Sequence, residues 1–269
     1  MLWKVIHLQK MEFFERIRRN CSTECEYLIE LIKMRGFFVE VTDDGLCLSD
    51  NAHSDDIKYL DMLLLKTGCG SVQGDMIILN PQSDTAAFER VFDDRPIYGS
   101  ESVSNDYGWN FFRQRKHGRK IQVGYLDPFI ARYIKAISAC CVFTEGSCDG
   151  NHPNRRKMIV DIEGEASTVW HQLICRAYLI GRYKIDWSED YCKIIFDRET
   201  KYRTYYEVNR AATFLYEHRQ AIREIKQRAF DGMTASYFRH HSNHEIKGAF
   251  IERAERLLFE VSSCCNSRN

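Results

Sequence analysis

Apolar residues recur at three- and four-residue steps over residues 10–35, where Phe14, Ile17, Cys21, Cys25, Leu28 and Ile32 share one side. That spacing predicts one amphipathic helix, with Gly36 placed to end it. The period then changes. FFVEVTDDGLCLS gives two strand-like runs around Asp44-Gly45, a dipeptide that supplies the positive φ angles of a tight hairpin. Residues 54–67 return to helical spacing, with Ser54 as N-cap and Gly68 just past the end. SVQGDMIILN predicts strand around a Gly74-Asp75 turn, and TAAFERVF predicts a short helix over 85–92. Residues 1–92 therefore read as a small α+β unit and not as an alternating βαβ series.

Residues 93–119 carry neither period and read as a long irregular connection, of the kind that is often functional. A second α+β unit follows over 120–198. Asp127-Pro128 suits a helix start, and Phe129, Ile130, Tyr133, Ile134 and Ile137 give that helix an apolar face. CCVFT and KMIVDIE read as strands, EASTVWHQLICRAYLIG as a helix, and the end of WSEDYCKIIFD as a further strand. Residues 199–269 read as helical. One helix runs from about Thr200 to Ala229, Asp231-Gly232 breaks it, and Ser242 with Glu245 forms a capping box that opens another helix reaching about Val261. The fold class expected is α+β, with antiparallel or mixed sheets, packed helices and a C-terminal helical hairpin. No internal repeat or low-complexity segment is visible in the residues.

Composition narrows the setting. The chain has 269 residues, enough for one large domain or two small ones, and 44% hydrophobic residues, usual for a globular protein. Lys+Arg and Asp+Glu both total 38, so any pull towards nucleic acid must come from a local patch. No apolar run has the length of a signal peptide or a membrane span, so a cytoplasmic setting away from membranes is expected. Its 11 cysteines are then expected to be thiols. Cys21 and Cys25 have metal-ligand spacing on one helical face, and the core reading is favoured for both.

Two stretches carry candidate chemistry. The first is the polar run Thr144 to His152, read as a turn between two strands. Cys148 is a candidate nucleophile, His152 the local base, and Asp149 a group to orient His152 or hold a cation. Ser147, Gly150 and Asn151 are candidate binding residues there. The opposing reading is a polar turn held by local Asp and Asn bonds, with glycine supplying positive φ. The second stretch sets Trp109, Phe111 and Phe112 before Arg113, Arg115, Lys116, His117, Arg119 and Lys120. Aromatics stack on bases and cations neutralise phosphate, which makes Trp109, Phe112, Arg113, Arg115 and Lys116 candidate binding residues. Alternatively the rings anchor the loop on the core and the charges stay solvated, the reading we favour. His240, His241 and His244 with Cys264 and Cys265 lack convincing zinc spacing and read as surface groups, and Cys140-Cys141 is no redox pair.

Asp127, Ile130, Ile134 and Ile137, followed by Val142-Phe143-Thr144 and Ser147-Cys148-Asp149-Gly150, resemble the helix-then-strand segment of the wybutosine-pathway tRNA methyltransferase family. That family has an acidic start, a spaced apolar helix and an aromatic-x-Thr-x-Ser-Cys-Ser-Gly-Arg run. The match covers residues 127–150 of the 269. Asp149 stands in place of the second Ser, Asn151 in place of the Arg, and NHPNRR intervenes before the next strand. The resemblance implies S-adenosylmethionine and an RNA substrate, held by Ser147, Cys148 and Gly150.

The sequence has no phosphate-binding P-loop, GxGxxG, HExxH, GxSxG or kinase signature. Two expectations follow. The first is a non-catalytic interaction protein, open to homo-oligomerisation and without a cofactor, that engages a protein complex or nucleic acid. An inhibitor of a host defence complex, encoded by a phage or mobile element, is one example. The second is a methyltransferase-like enzyme acting on RNA or a nucleotide, centred on Ser147-Cys148-Asp149-Gly150.

Overall fold

Two four-stranded antiparallel sheets, assembled by the same path, carry the fold. The structure is a computed structural model describing residues 2–43, 45–49, 52–94, 108–150, 158–178, 184–187, 191–195 and 201–266. Helices α1 (Leu2–Arg18) and α2 (Glu24–Met34) replace the single helix expected over 10–35. Thr23 makes the break. It accepts the Glu26 amide on its hydroxyl, while Glu26 takes the Ser22 amide at 2.6 Å. This side-chain cap overrides an apolar spacing that continues through it.

Strands β1 (Val39–Thr42) and β2 (Gly45–Leu48) form the expected hairpin, with Thr42 opposite Gly45. Helix α3 (Asp56–Thr67) ends on left-handed Gly68, as expected. Ser54 is not its cap. The Asp56 carboxylate takes the His53 amide instead. Strands β3 (Gly70–Gln73) and β4 (Met76–Leu79) follow, then α4 (Thr85–Val91). Beyond them the connection expected to be irregular contains α5 (Trp109–Gln114); its residues 95–107 lie outside the described set.

The second half comprises α6 (Ala131–Ala139), β5 (Thr144–Cys148), β6 (Met158–Ile162), α7 (Glu165–Tyr178), β7 (Lys184–Trp187), β8 (Tyr191–Ile195) and α8 (Lys201–Glu217). Helix α6 starts at Ala131 and not at Pro128, because Asp127 to Ile130 form a turn in which the Asp127 carbonyl accepts the Ile130 and Ala131 amides. The strand expected at CCVFT begins only at Thr144. Cys141 and Val142 are held back by amide bonds to Ser138 and Ile137 carbonyls, which close the helix in a Schellman motif.

The two halves share one topology. The order α2-β1-β2-α3-β3-β4-α4 recurs as α6-β5-β6-α7-β7-β8-α8. Strand order is β1-β2-β4-β3 in one sheet and β5-β6-β8-β7 in the other. In each half the first helix packs against the last. Even the caps correspond: α2 closes through Gly36 (φ 105°) and α6 through Cys141 (φ 70°), each with the same pair of amide-to-carbonyl bonds. This is a repeat of path that the residues conceal.

The C-terminal region is helical, with α9 (Arg219–Ala229), α10 (Ala235–His240) and α11 (Asn243–Asn266). The helix expected over 200–229 is split at His218 into α8 and α9. The Ser242–Glu245 capping box forms as expected, with Glu245 taking the Ser242 amide at 2.7 Å. Helix α11 packs on α9 and on α7. One connected core links these parts. Phe13 of α1 meets Phe92, Phe129 and Tyr202, and Phe38 stacks on Tyr216 with ring centroids 3.5 Å apart. A buried ion pair, Lys135 Nζ to Asp56 at 2.6 Å, joins α6 to α3. Among the described residues, no helix is long and apolar enough to cross a membrane.

Candidate functional site

Residues 144–148 are strand β5, not a turn. Ser147 pairs with Val160 and Cys148 with Ile159 on β6. The chain leaves the strand at Asp149, and Gly150 has φ 75°. Asn151 and His152 lie outside the described residues, and with them the expected Cys148–His152 pairing. Cys148 and Asp149 are buried. The Asp149 amide donates to Asp127 Oδ2 at 3.2 Å, and the Gly150 amide donates to Cys148 Sγ at 3.4 Å. Tyr205, from α8, donates its hydroxyl to the Asp149 carbonyl at 2.8 Å. Burial, then the nearby Asp149, hold that phenol well above its ordinary range, so it stays a proton donor.

Asp127, Cys148 and Asp149 bring one ligand atom each within 4.8 Å of one another. Two carboxylates and a thiol are a donor set that a divalent ion such as zinc accepts. Among the described residues no other such group of His, Cys, Asp and Glu converges. Sequence spacing pointed to Cys148 and Asp149. Asp127 was read as a helix cap, and Tyr205 carried no signal because it is 56 positions away from Asp149.

A second polar cluster, also missed, is wholly buried. Tyr133 Oη lies 2.9 Å from His171 Nε2 and 3.5 Å from Cys175 Sγ. Burial pushes His171 down to about 3 and the Cys175 thiol up to about 12. At neutral pH both are uncharged, so the cluster packs the interior and offers no thiolate.

The aromatic-basic stretch divides by residue. Trp109 and Phe112 are buried. Trp109 lies against Phe230 and Phe250 and donates to Glu165 at 3.2 Å, and Phe112 meets Phe143 and Phe230. These two rings anchor α5 and do not face solvent. The cations behind them do. Arg113, Lys116, Arg223 and Arg228 line a groove of about 640 Å³ between α5 and α9, where Glu224 is the single carboxylate. Arg113 is held by the Met233 carbonyl at 3.1 Å and Arg223 by the Ala139 carbonyl at 2.7 Å. Arg115 sits over the Phe111 ring, 5.3 Å from its centroid.

Lys226 fastens this arrangement from beneath. Fully buried on α9, its Nζ donates to the Phe112 carbonyl at 2.6 Å and the Arg115 carbonyl at 2.7 Å, at the C-terminal end of α5. Burial pushes its ammonium down to about 8, against the nearby Cys141, which favours the charge. Half of the groove's cations thus come from α9, more than a hundred positions from α5, and no local pattern could join them.

The remaining candidates do not assemble. His240 and His241 bond to carbonyls of their own helix, Ser236 and Tyr237, at 2.8 and 3.0 Å. The side chains of Cys264 and Cys265 lie outside the described residues. Cys25 is exposed and Cys21 half-buried, so the core reading fails for Cys25; the break at Thr23 removes the shared face. No protein-family profile matches the chain, and no curated protein or solved structure does.

Proposed function

We propose that this protein is a non-catalytic nucleic-acid-binding protein that holds phosphates in the groove between α5 and α9. The carrying observation is the convergence of Arg113, Lys116, Arg223 and Arg228 around one concavity in a chain whose formal net charge is zero. Such a local excess does not follow from a basic composition. Three of the four are arginines, whose planar fork matches phosphate oxygens. Two are oriented by backbone carbonyls, and Lys226 keeps α5 in place beneath them. Trp109 and Phe112 serve this surface indirectly, as anchors. A reducing, cytoplasmic setting goes with this reading, since the described cysteines are free thiols.

Fluorescence anisotropy with a labelled oligonucleotide tests the reading. Four phosphate contacts correspond to a log–log salt slope of about −3 to −4. The double variant Arg113→Glu/Arg228→Glu is expected to bind at least tenfold more weakly with a shallower slope. Wild-type protein that binds no oligonucleotide at low salt, or a double variant that binds unchanged, overturns the proposal.

A further inference from the structure

A hollow of about 360 Å³ lies between α9 and α11, beside Leu257, and three arginines line it. Arg228 comes from the last turn of α9. Arg253 and Arg256 come from α11, where three-residue spacing puts them on one side. The other charged residue lining it is Asp231, in the turn after α9. Its carbonyl accepts Arg253, which ties α11 to that turn and orients one guanidinium. Among the described residues, neither Arg228 nor Arg256 has an ion-pair partner. Glu255, next to Arg256 in the chain, pairs instead with Arg176 at 3.3 Å. Like charges gathered this way repel, and packing alone gives no reason to gather them.

Three guanidinium groups against one carboxylate leave the hollow two positive charges in excess. A phosphate monoester carries about −1.5 to −2 at neutral pH, whereas a phosphodiester carries a single negative charge. The planar fork of arginine also matches phosphate oxygens in pairs. We propose that the α9–α11 hollow is a second binding site, which takes a phosphate monoester dianion, on a free nucleotide or at the end of a strand. It goes beyond the α5–α9 reading and does not depend on it. Arg228 lines both hollows, but Arg113 and Lys116 belong to the first alone, and Arg253 and Arg256 are absent from it.

The test is calorimetric titration of the full chain with adenosine monophosphate and with cyclic adenosine monophosphate, its diester. Wild-type protein is expected to bind the monoester roughly tenfold more tightly. Arg256→Glu changes an exposed side chain and should remove that preference, while Arg113→Glu should keep it. A second arm separates the sources, using one oligonucleotide with a terminal phosphate and the same strand with a terminal hydroxyl. Tighter binding of the phosphorylated strand that Arg256→Glu abolishes identifies a strand end. A preference confined to the mononucleotide identifies a free nucleotide. Equal affinity for monoester and diester, binding of neither, or a preference that survives Arg256→Glu overturns the site. Each of these leaves the α5–α9 reading standing, since salt-dependent binding of the strand without a terminal phosphate tests that one.

Discussion

His171 shows how completely burial governs the chemistry of single residues here. It is fully enclosed on α7 beside Tyr133, and desolvation alone drives its pKa from 6.5 to about 3. Below pH 6.5 the unfolded chain takes up a proton that the folded one refuses, so the stability this residue gives above pH 6.5 is lost as pH falls towards 3. In urea titrations, His171→Gln should lose stability less steeply than wild type between pH 6.5 and 3; identical slopes would count against the assignment. None of this was legible beforehand, since a histidine in EASTVWHQLICRAYLIG looks the same buried or exposed. The anchoring of Trp109 and Phe112 was legible, because large rings next to a run of cations have few other uses in a folded chain. What no sequence pattern could show was which cations share a groove, since Arg223 and Arg228 arrive on α9.

At the scale of elements, local signals worked where one residue dictates the backbone. Gly68, Gly74-Asp75 and the Ser242–Glu245 box each end or turn an element as read, and Thr42 pairs with Gly45 across the expected hairpin, whose Asp44 lies outside the described residues. They failed where a cap competes with periodicity, as at Thr23, and where an element is too short to show a period, as in β7. The repeated path escaped notice because the caps of α2 and α6 use different residues, glycine in one and cysteine in the other. Gly118 shows how closely elements are laid together. Its amide donates to the Ser138 carbonyl at 2.7 Å, and an added Cβ would sit 1.9 Å from the Val142 carbonyl oxygen. Backbone cannot yield there as a flexible side chain would. Gly118→Ala is therefore expected to cost about 1–3 kcal/mol in chemical denaturation, by lifting the segment after α5 away from α6. A wild-type midpoint would show that the contact is not tight.

At the scale of the whole molecule, the first half depends on the last helices. Phe13 loses Phe129 and Tyr202 if the chain stops at residue 94, Phe38 loses its stacked Tyr216, and Glu40 loses both Tyr216 and Arg219. Arg35, fully buried, also reaches the Val123 carbonyl from the second half. A fragment of residues 1–94 is accordingly expected to show no cooperative urea transition, whereas the full chain unfolds cooperatively. A sharp transition in the fragment would show that its own contacts suffice. The α+β class was readable from alternating periods, but this dependence was not, because periodicity shows which face is apolar and not what covers it.

The bond between Tyr216 and Glu40 spans 176 positions of the chain. At ribosomal speeds of about 5–20 residues per second, that is a wait of roughly ten to thirty-five seconds between the two partners. Throughout it, the side of α1 that packs on α8 and the ring of Phe38 are made but their covering is not. Synthesis of this protein therefore creates a timed demand for shelter, which a slower ribosome lengthens and a chaperone that holds nascent apolar surface meets.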